Sequence, residues 1–260
     1  MRRFKTWLPA LALLLIAAIM LVHGPIAQPP HYHDFADARG LACLPNFANV
    51  ASNAGFLVVG GWGLWFFRYP QRRAFLGTAW HGYAVFLAGV ALTALGSGYY
   101  HLAPDNDRLF WDRLPIAIAC AGLLAAGFAQ TFGRIHRWAL PMLLVAACMS
   151  VFWWSLTEQH GSGDLRPYLL LQIAPLVMIP LWQWSADAAK RDRIAFGVAV
   201  LLYVLAKLAE LQDRDILDVL GWMSGHTAKH LLAFAATLVL TANIVCRASR
   251  QPASERARLG

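Results

Sequence analysis

Charge is scarce in this 260-residue chain. Asp, Glu, Lys and Arg together make up 14% of it, against 58% for the hydrophobic residues, which is too apolar for a soluble domain of this size. Acids are scarcer than bases, 14 against 22, for a formal net charge of +8. That excess does not describe a nucleic-acid binder, because no basic cluster is interleaved with the aromatics that a stacking platform needs. The four cysteines, Cys43, Cys120, Cys148 and Cys246, form no CxxC pair and no evident disulfide framework. No polar stretch is long enough for a soluble domain, and no protein partner is implied.

Apolar windows of about 17 to 22 residues recur instead, each long enough for a hydrocarbon core of roughly 30 Å. Eight are legible, at 7–23, 47–67, 78–99, 109–129, 138–156, 167–185, 194–211 and 224–246. Spans must satisfy their backbone hydrogen bonds internally, so the expected fold class is an all-α integral membrane protein. The basic residues sort these windows. Arg2, Arg3 and Lys5 precede the first one and set the N-terminus in the cytoplasm. Connections on that side then carry Arg68, Arg72 and Arg73, next Arg134 and Arg137, next Lys190, Arg191 and Arg193. A tail with Arg247, Arg250, Arg256 and Arg258 closes the series. The other side holds Asp34, Asp37, Asp105, Asp107, Glu158, Asp164, Asp213, Asp215 and Asp218 with few bases. The net charge thus reflects topology.

The expected organisation is a seven-transmembrane-helix bundle over 31–246. An additional N-terminal helix and the start of an outer loop (1–30) precede it, and a basic cytoplasmic tail (247–260) follows. The basic start and roughly 16-residue apolar stretch of the first window also fit a signal peptide. No small-x-small cleavage site stands in 23–26, and a retained helix is the reading adopted. The location expected is a bacterial-type inner membrane, multi-pass, with both termini cytoplasmic.

The chemistry gathers at Gly225-His226-Thr227-Ala228-Lys229-His230, at the head of the last window. Two histidines four apart on a helix share one face, one turn above the other, and a histidine pair entering a span is a functional-site hypothesis by default. Ser97 and His101 are four apart at the outer end of the third window, and Asp112 falls near the start of the fourth. Taken singly, His101 reads as an interfacial histidine and Asp112 as a helix-start carboxylate favoured by the macrodipole. Together, Ser97, His101, Asp112, His226 and His230 lie near the outer ends of three spans at one membrane depth. Three imidazoles suit a four-coordinate zinc with water in the remaining position. Such a metal lowers the pKa of that water towards about 7 and polarises a carbonyl. A nearby carboxylate can take the water's proton, and a serine hydroxyl can donate to the developing oxyanion.

The remaining candidates read otherwise. His81 lies near the inner end of its helix, roughly 24 Å from Ser97 at 1.5 Å per residue, and His136 and His160 also miss the depth of the site. His31 and His33 are on the correct side, in a loop that the sequence does not place. A lysine in the last helix raises a retinal Schiff base with Asp112 as counter-ion. At 100° per residue, however, Lys229 points about 80° away from the mean direction of the two histidines and is expected to snorkel. In the long outer connection 24–46, the carboxylates can bind a hard cation or simply face solvent. Asn46 reads as an N-cap, Asn49 and Asn53 as a helix–helix hydrogen-bonding face, and Gly60, Gly61 and Gly63 as a close-packing surface.

Ser97-x-x-x-His101, Asp112 in the next helix and His226-x-x-x-His230 in the last resemble the seven-helix membrane hydrolases that include alkaline ceramidases. The wider group takes in adiponectin/progestin-type receptors and lipid-remodelling proteins of GPI anchors. The ceramidase branch is the most similar, through Asp34-Phe35-Ala36-Asp37 and the entry Asn46-Phe47-Ala48-Asn49-Val50-Ala51-Ser52-Asn53. The resemblance implies that His101, His226 and His230 hold zinc, that Asp112 activates its water, and that Ser97 assists the oxyanion. It also implies a calcium site at the acidic segment, with Asp34, Asp37 and Asn46 as its residues. Here that segment is thinner in carboxylates, and Asn46 stands where an acid is usual. The activity implied is hydrolysis of the amide of a membrane lipid, ceramide or a similar N-acyl lipid, near the outer face. Rival expectations are a lipid esterase or phospholipase of the same superfamily, a receptor-like binder, and a transporter. The last would carry intramembrane charge along a path, and Lys207 is the one such charge read from the windows.

Overall fold

The computed structural model describes residues 2–41 and 43–250, with side chains from Trp7 onward. The side chains of Arg2, Arg3 and Lys5, and the part of the basic tail holding Arg256 and Arg258, lie outside the described residues. Helices make the whole architecture: α1 (Arg2–His23), α2 (Phe47–Ala51), α3 (Ala54–Phe66), α4 (Pro70–Arg73) with a 3-10 turn at Ala74–Leu76, α5 (Ala79–Leu102), α6 (Asn106–Phe132), α7 (Ala139–Gln159), α8 (Arg166–Ser185), α9 (Lys190–Leu211), α10 (Asp213–Leu220) and α11 (Gly225–Ser249). Helices α5 to α9 and α11 are six that are long and apolar enough to cross a membrane. A seventh arises if Phe47–Phe66 and Pro70–Leu76, bent by 104°, count as one span, and Trp7–His23 is a shorter apolar helix. Among the described residues, the eight windows of sequence thus give six such helices, or seven with the bent pair.

Neighbours in the bundle run α3, α5, α6, α7, α8, α9, α11 and back to α3, with α1 outside against α8. Leu14, Val58, Leu95, Met142, Val145 and Leu201 are among the large apolar side chains left on the outer surface. This is the distribution expected when the surrounding medium is as apolar as the core. Inside, one cluster joins α3, α5, α6 and α11 through Phe56, Val59, Phe86, Leu87, Ala126 and Ile244. A second joins α6, α7 and α8 through Leu109, Val151, Trp154 and Tyr168.

Local chemistry sets the helix ends that matter for the site. The Asp105 side chain accepts from the Arg108 backbone N at 2.7 Å, so α6 starts at Asn106, earlier than the apolar window. Asp112 is therefore nearly two turns inside α6, and its reading as a helix-start carboxylate is corrected. Pro115 has no N–H to return to the Trp111 carbonyl. That freed oxygen is where α5 comes closest, because a Cβ at Gly96 would overlap it. Gly60 likewise meets the backbone of Leu87 and Ala91, whereas Gly61 faces open space. Ser224 caps α11 by accepting from Thr227 N at 3.2 Å.

The break between α2 and α3 also has a chemical cause. Ser52 Oγ donates to Asn49 O at 3.1 Å and Asn53 Nδ2 donates to the same oxygen at 2.7 Å. Side chains thus occupy a carbonyl that a continuous helix would have used. Asn46 stands at the N-cap position of α2 with φ 49° but makes no capping bond. Its amide donates instead to His101 O at 2.9 Å.

Candidate metal centre

His101, in the last turn of α5, and His226 and His230, in the first two turns of α11, meet at one end of the bundle. All three are buried, at 1%, 5% and 4% exposure, and one nitrogen from each lies within 4.8 Å of the others. Among the described residues this is the one such group of histidine, cysteine and carboxylate side chains. Ring centroids stand 4.8 to 5.0 Å apart. His101 Nε2 and His226 Nε2 are separated by 3.3 Å. A tetrahedron with zinc–nitrogen bonds of 2.0–2.1 Å has edges of about 3.3 to 3.4 Å, so this pair stands at the spacing of two ligands on one such metal, with the His230 nitrogen within 4.8 Å of both.

The protonation of His230 follows from its partner. Ser52 Oγ lies 2.8 Å from His230 Nδ1, and the single hydroxyl proton of Ser52 goes to Asn49 O. Asn53 Nδ2 is 3.4 Å from the same nitrogen and Asn49 O is a backbone acceptor for the ring; with the hydrogen on Nδ1 the ring donates to Ser52 and leaves the Nε2 lone pair for a metal. His226 is fixed through its backbone, whose N donates to Asp213 Oδ1 at 2.6 Å. Asp213 Oδ2 accepts from Ala36 N at 2.8 Å, so one carboxylate joins the outer loop to the start of α11. His101 Nδ1 is buried without a hydrogen-bond partner.

Ser97 is one turn before His101 on α5 and faces the Asp112 carboxylate of α6. The Gly96 contact with Trp111 holds these two helices together one residue away on each. On the outer side of that contact runs an apolar groove of about 490 Å³, lined by Leu92, Leu95, Tyr99, Trp111, Leu114 and Ile118 among others. Above the imidazoles, Phe35 of the outer loop stands with its ring centroid 4.4 Å from His226 and 4.7 Å from His101. His33, which the sequence left unplaced, bonds to Tyr100 Oη at 2.9 Å and to Asn106 Oδ1 at 3.0 Å.

The acidic segment is engaged in ion pairs and hydrogen bonds of its own. Arg39 takes both Asp37 carboxylate oxygens, Nε to Oδ1 and Nη2 to Oδ2, each at 2.8 Å. This guanidinium holds the Asp37 carboxyl below the usual carboxylate range, against burial, which pushes it up. Asp34 is exposed and paired with His31 at 2.9 Å, and the Asn46 amide is turned to His101 O. The three residues of the calcium expectation, Asp34, Asp37 and Asn46, are thus engaged with three different partners.

Charges within the helices were undercounted. Lys229 does not snorkel; it pairs with Glu210 of α9, which also bonds to Lys207 at 2.7 Å. At the other end of α9, Asp192 accepts from Gln130, Asn243 and Arg247. Arg113 is 4% exposed, lies 3.9 Å over the Trp154 ring and donates to Gln28 Oε1 at 2.7 Å. The signal for Glu210 was present in the sequence, since a lysine precedes it by three residues, but its partner on α11 is far along the chain. No protein-family model, no curated protein and no solved structure matches the chain.

Proposed function

We propose that this chain is a zinc-dependent hydrolase of a bacterial-type inner membrane. It cleaves the amide bond of ceramide or a similar N-acyl lipid and releases the fatty acid. The observation that carries this reading is the placement of a hydroxyl, Ser97, one helical turn from His101 of a cluster of three buried imidazoles, with the Asp112 carboxylate facing it from the next helix. A metal-binding role alone needs the imidazoles and no such pair. Zinc held by His101, His226 and His230 supplies a Lewis acid for the carbonyl and lowers the pKa of water towards about 7.

The protein's own groups do the rest. Asp112 accepts one proton from the attacking water. Before that step the Ser97 hydroxyl donates to Asp112; once Asp112 is protonated, the hydroxyl turns to the carbonyl oxygen that is gaining charge. Asp112 then returns the proton to the leaving nitrogen. The C–N bond breaks to fatty acid and amine, and the carboxylate is restored. Phe35 closes the centre towards the outer side, and the apolar groove beside Gly96 and Trp111 gives an acyl chain a place at the depth of the pair. The alternation of basic and acidic connections supports cytoplasmic termini and a site near the outer leaflet.

The test follows fatty-acid release from N-acyl and ester lipids by the purified wild type and by Asp112→Asn, both checked for metal. Loss of the base lowers turnover by about 10² to 10⁴-fold, while the imidazoles and the zinc remain. Equal turnover by two zinc-loaded proteins removes Asp112 from the mechanism. Turnover of esters alone replaces the amidase reading by an esterase, and no turnover of either class by wild type leaves a receptor-like binder.

A further inference from the structure

Besides Asp213, a guanidinium ties the loop over 24–46 down beside the imidazole cluster. Besides its two bonds to the Asp37 carboxylate, Arg39 uses its backbone N on Asp37 Oδ1 at 3.0 Å and its Nη1 on Gly221 O at 3.0 Å. Asp37 itself is buried, its side chain 2% exposed. Gly221 ends α10, three residues before the cap of α11. The Asp37 backbone oxygen accepts from Asn49 Nδ2 at 3.1 Å, and Asn49 Oδ1 accepts from Thr227 Oγ1 at 2.9 Å. Thr227 lies between the two histidines of α11, and Phe35, two residues before Asp37, packs on His101 and His226. The loop is thus joined to the imidazoles on both sides of Asp37. A buried carboxylate of this kind needs a cation, and a planar fork satisfies both oxygens at once.

We propose that Arg39 is a built-in cation standing where the acidic segment implies calcium, and that it is a positioning residue for the metal centre, which is therefore calcium-independent. Calcium needs six to eight oxygens, and both Asp37 oxygens are already engaged. The inference rests on the reading of His101, His226 and His230 as metal ligands.

The experiment uses the full chain in detergent or nanodiscs. Zinc affinity is measured by competition with a chromophoric chelator for wild type, Arg39→Met and Arg39→Lys, and melting midpoints of metal-free protein are followed during titration with millimolar calcium chloride. Loss of a group that orients metal ligands costs about 10 to 100-fold in affinity, and Arg39→Met is expected near the lower figure. Arg39→Lys keeps the charge without the fork and stays weakened, and millimolar guanidinium restores part of the affinity of Arg39→Met. A role in packing alone does not give that rescue. Wild-type midpoints do not move with calcium. Arg39→Met binding zinc as tightly as wild type overturns the inference, as does a calcium-dependent rise of several degrees in the wild type. If Arg39→Met does not fold, Arg39→Lys carries the affinity comparison. A wild type that holds no zinc refutes the metal-centre reading instead, and the calcium titration then still decides whether Arg39 has replaced the ion.

Discussion

Replacing Ser52 by alanine removes the acceptor that sets His230 in its metal-binding form. The hydroxyl is 2.8 Å from His230 Nδ1, and the imidazole is 4% exposed, so no solvent is at hand to take its place. Without it the ring can turn, and the nitrogen that carries the hydrogen is no longer fixed. Losing such a partner of a metal ligand costs 10 to 100-fold in affinity, or about 1.4 to 2.7 kcal/mol. Asn49 O is also a backbone acceptor for this ring and offsets part of the loss, which places Ser52→Ala near 10-fold. Ser52→Thr keeps the oxygen and should stay within a factor of about three of the wild type, a small part of that range. Competition with a chelator of known affinity reads all three proteins. Ser52→Ala with wild-type affinity would refute the assignment of the Nδ1 hydrogen and of Ser52 as its acceptor.

Two further outcomes follow from the charges. Glu210→Gln leaves Lys229 with its carboxylate gone, at 21% side-chain exposure, and breaking a buried pair from one side costs about 3 to 5 kcal/mol. Partial exposure sets the expected loss at the lower figure, read by denaturant titration of the purified protein, and Glu210→Gln with Lys229→Met should recover most of it. The Asp37 carboxyl is lowered by Arg39, so its contribution is complete above about pH 4, the ordinary aspartate value, and is lost as pH falls through the lowered pKa. The gap in melting midpoint between metal-free wild type and Arg39→Met should therefore narrow as pH drops below about 4. A constant gap separates the Arg39 effect from the ion pair.

Periodicity made the long helices legible, because windows of apolar residues respond to the same length requirement that the helices meet. Histidines four apart were legible for a similar reason, since one turn returns a side chain to the same face. The start of α6 was not. Asp105 caps it through polar residues that no hydropathy window registers, and that cap moved Asp112 from the helix start to its second turn. The break at Ser52 and Asn53 depends on which carbonyl their side chains choose, a competition settled only in three dimensions. Lys229 was directed outward by helical geometry alone, whereas its position is set by Glu210 on another helix. Asp37 and Arg39 are two residues apart, yet their pairing also needs the Gly221 carbonyl, which is remote in sequence.

The central claim is that His101, His226 and His230 hold one zinc ion. Elemental analysis of purified wild type and of the His226→Ala, His230→Ala double variant, after equal exposure to zinc and removal of the excess, tests it directly. The account predicts about one zinc per chain in the wild type and none in the double variant. Stoichiometric zinc in that variant, or a wild type that retains no zinc, contradicts it.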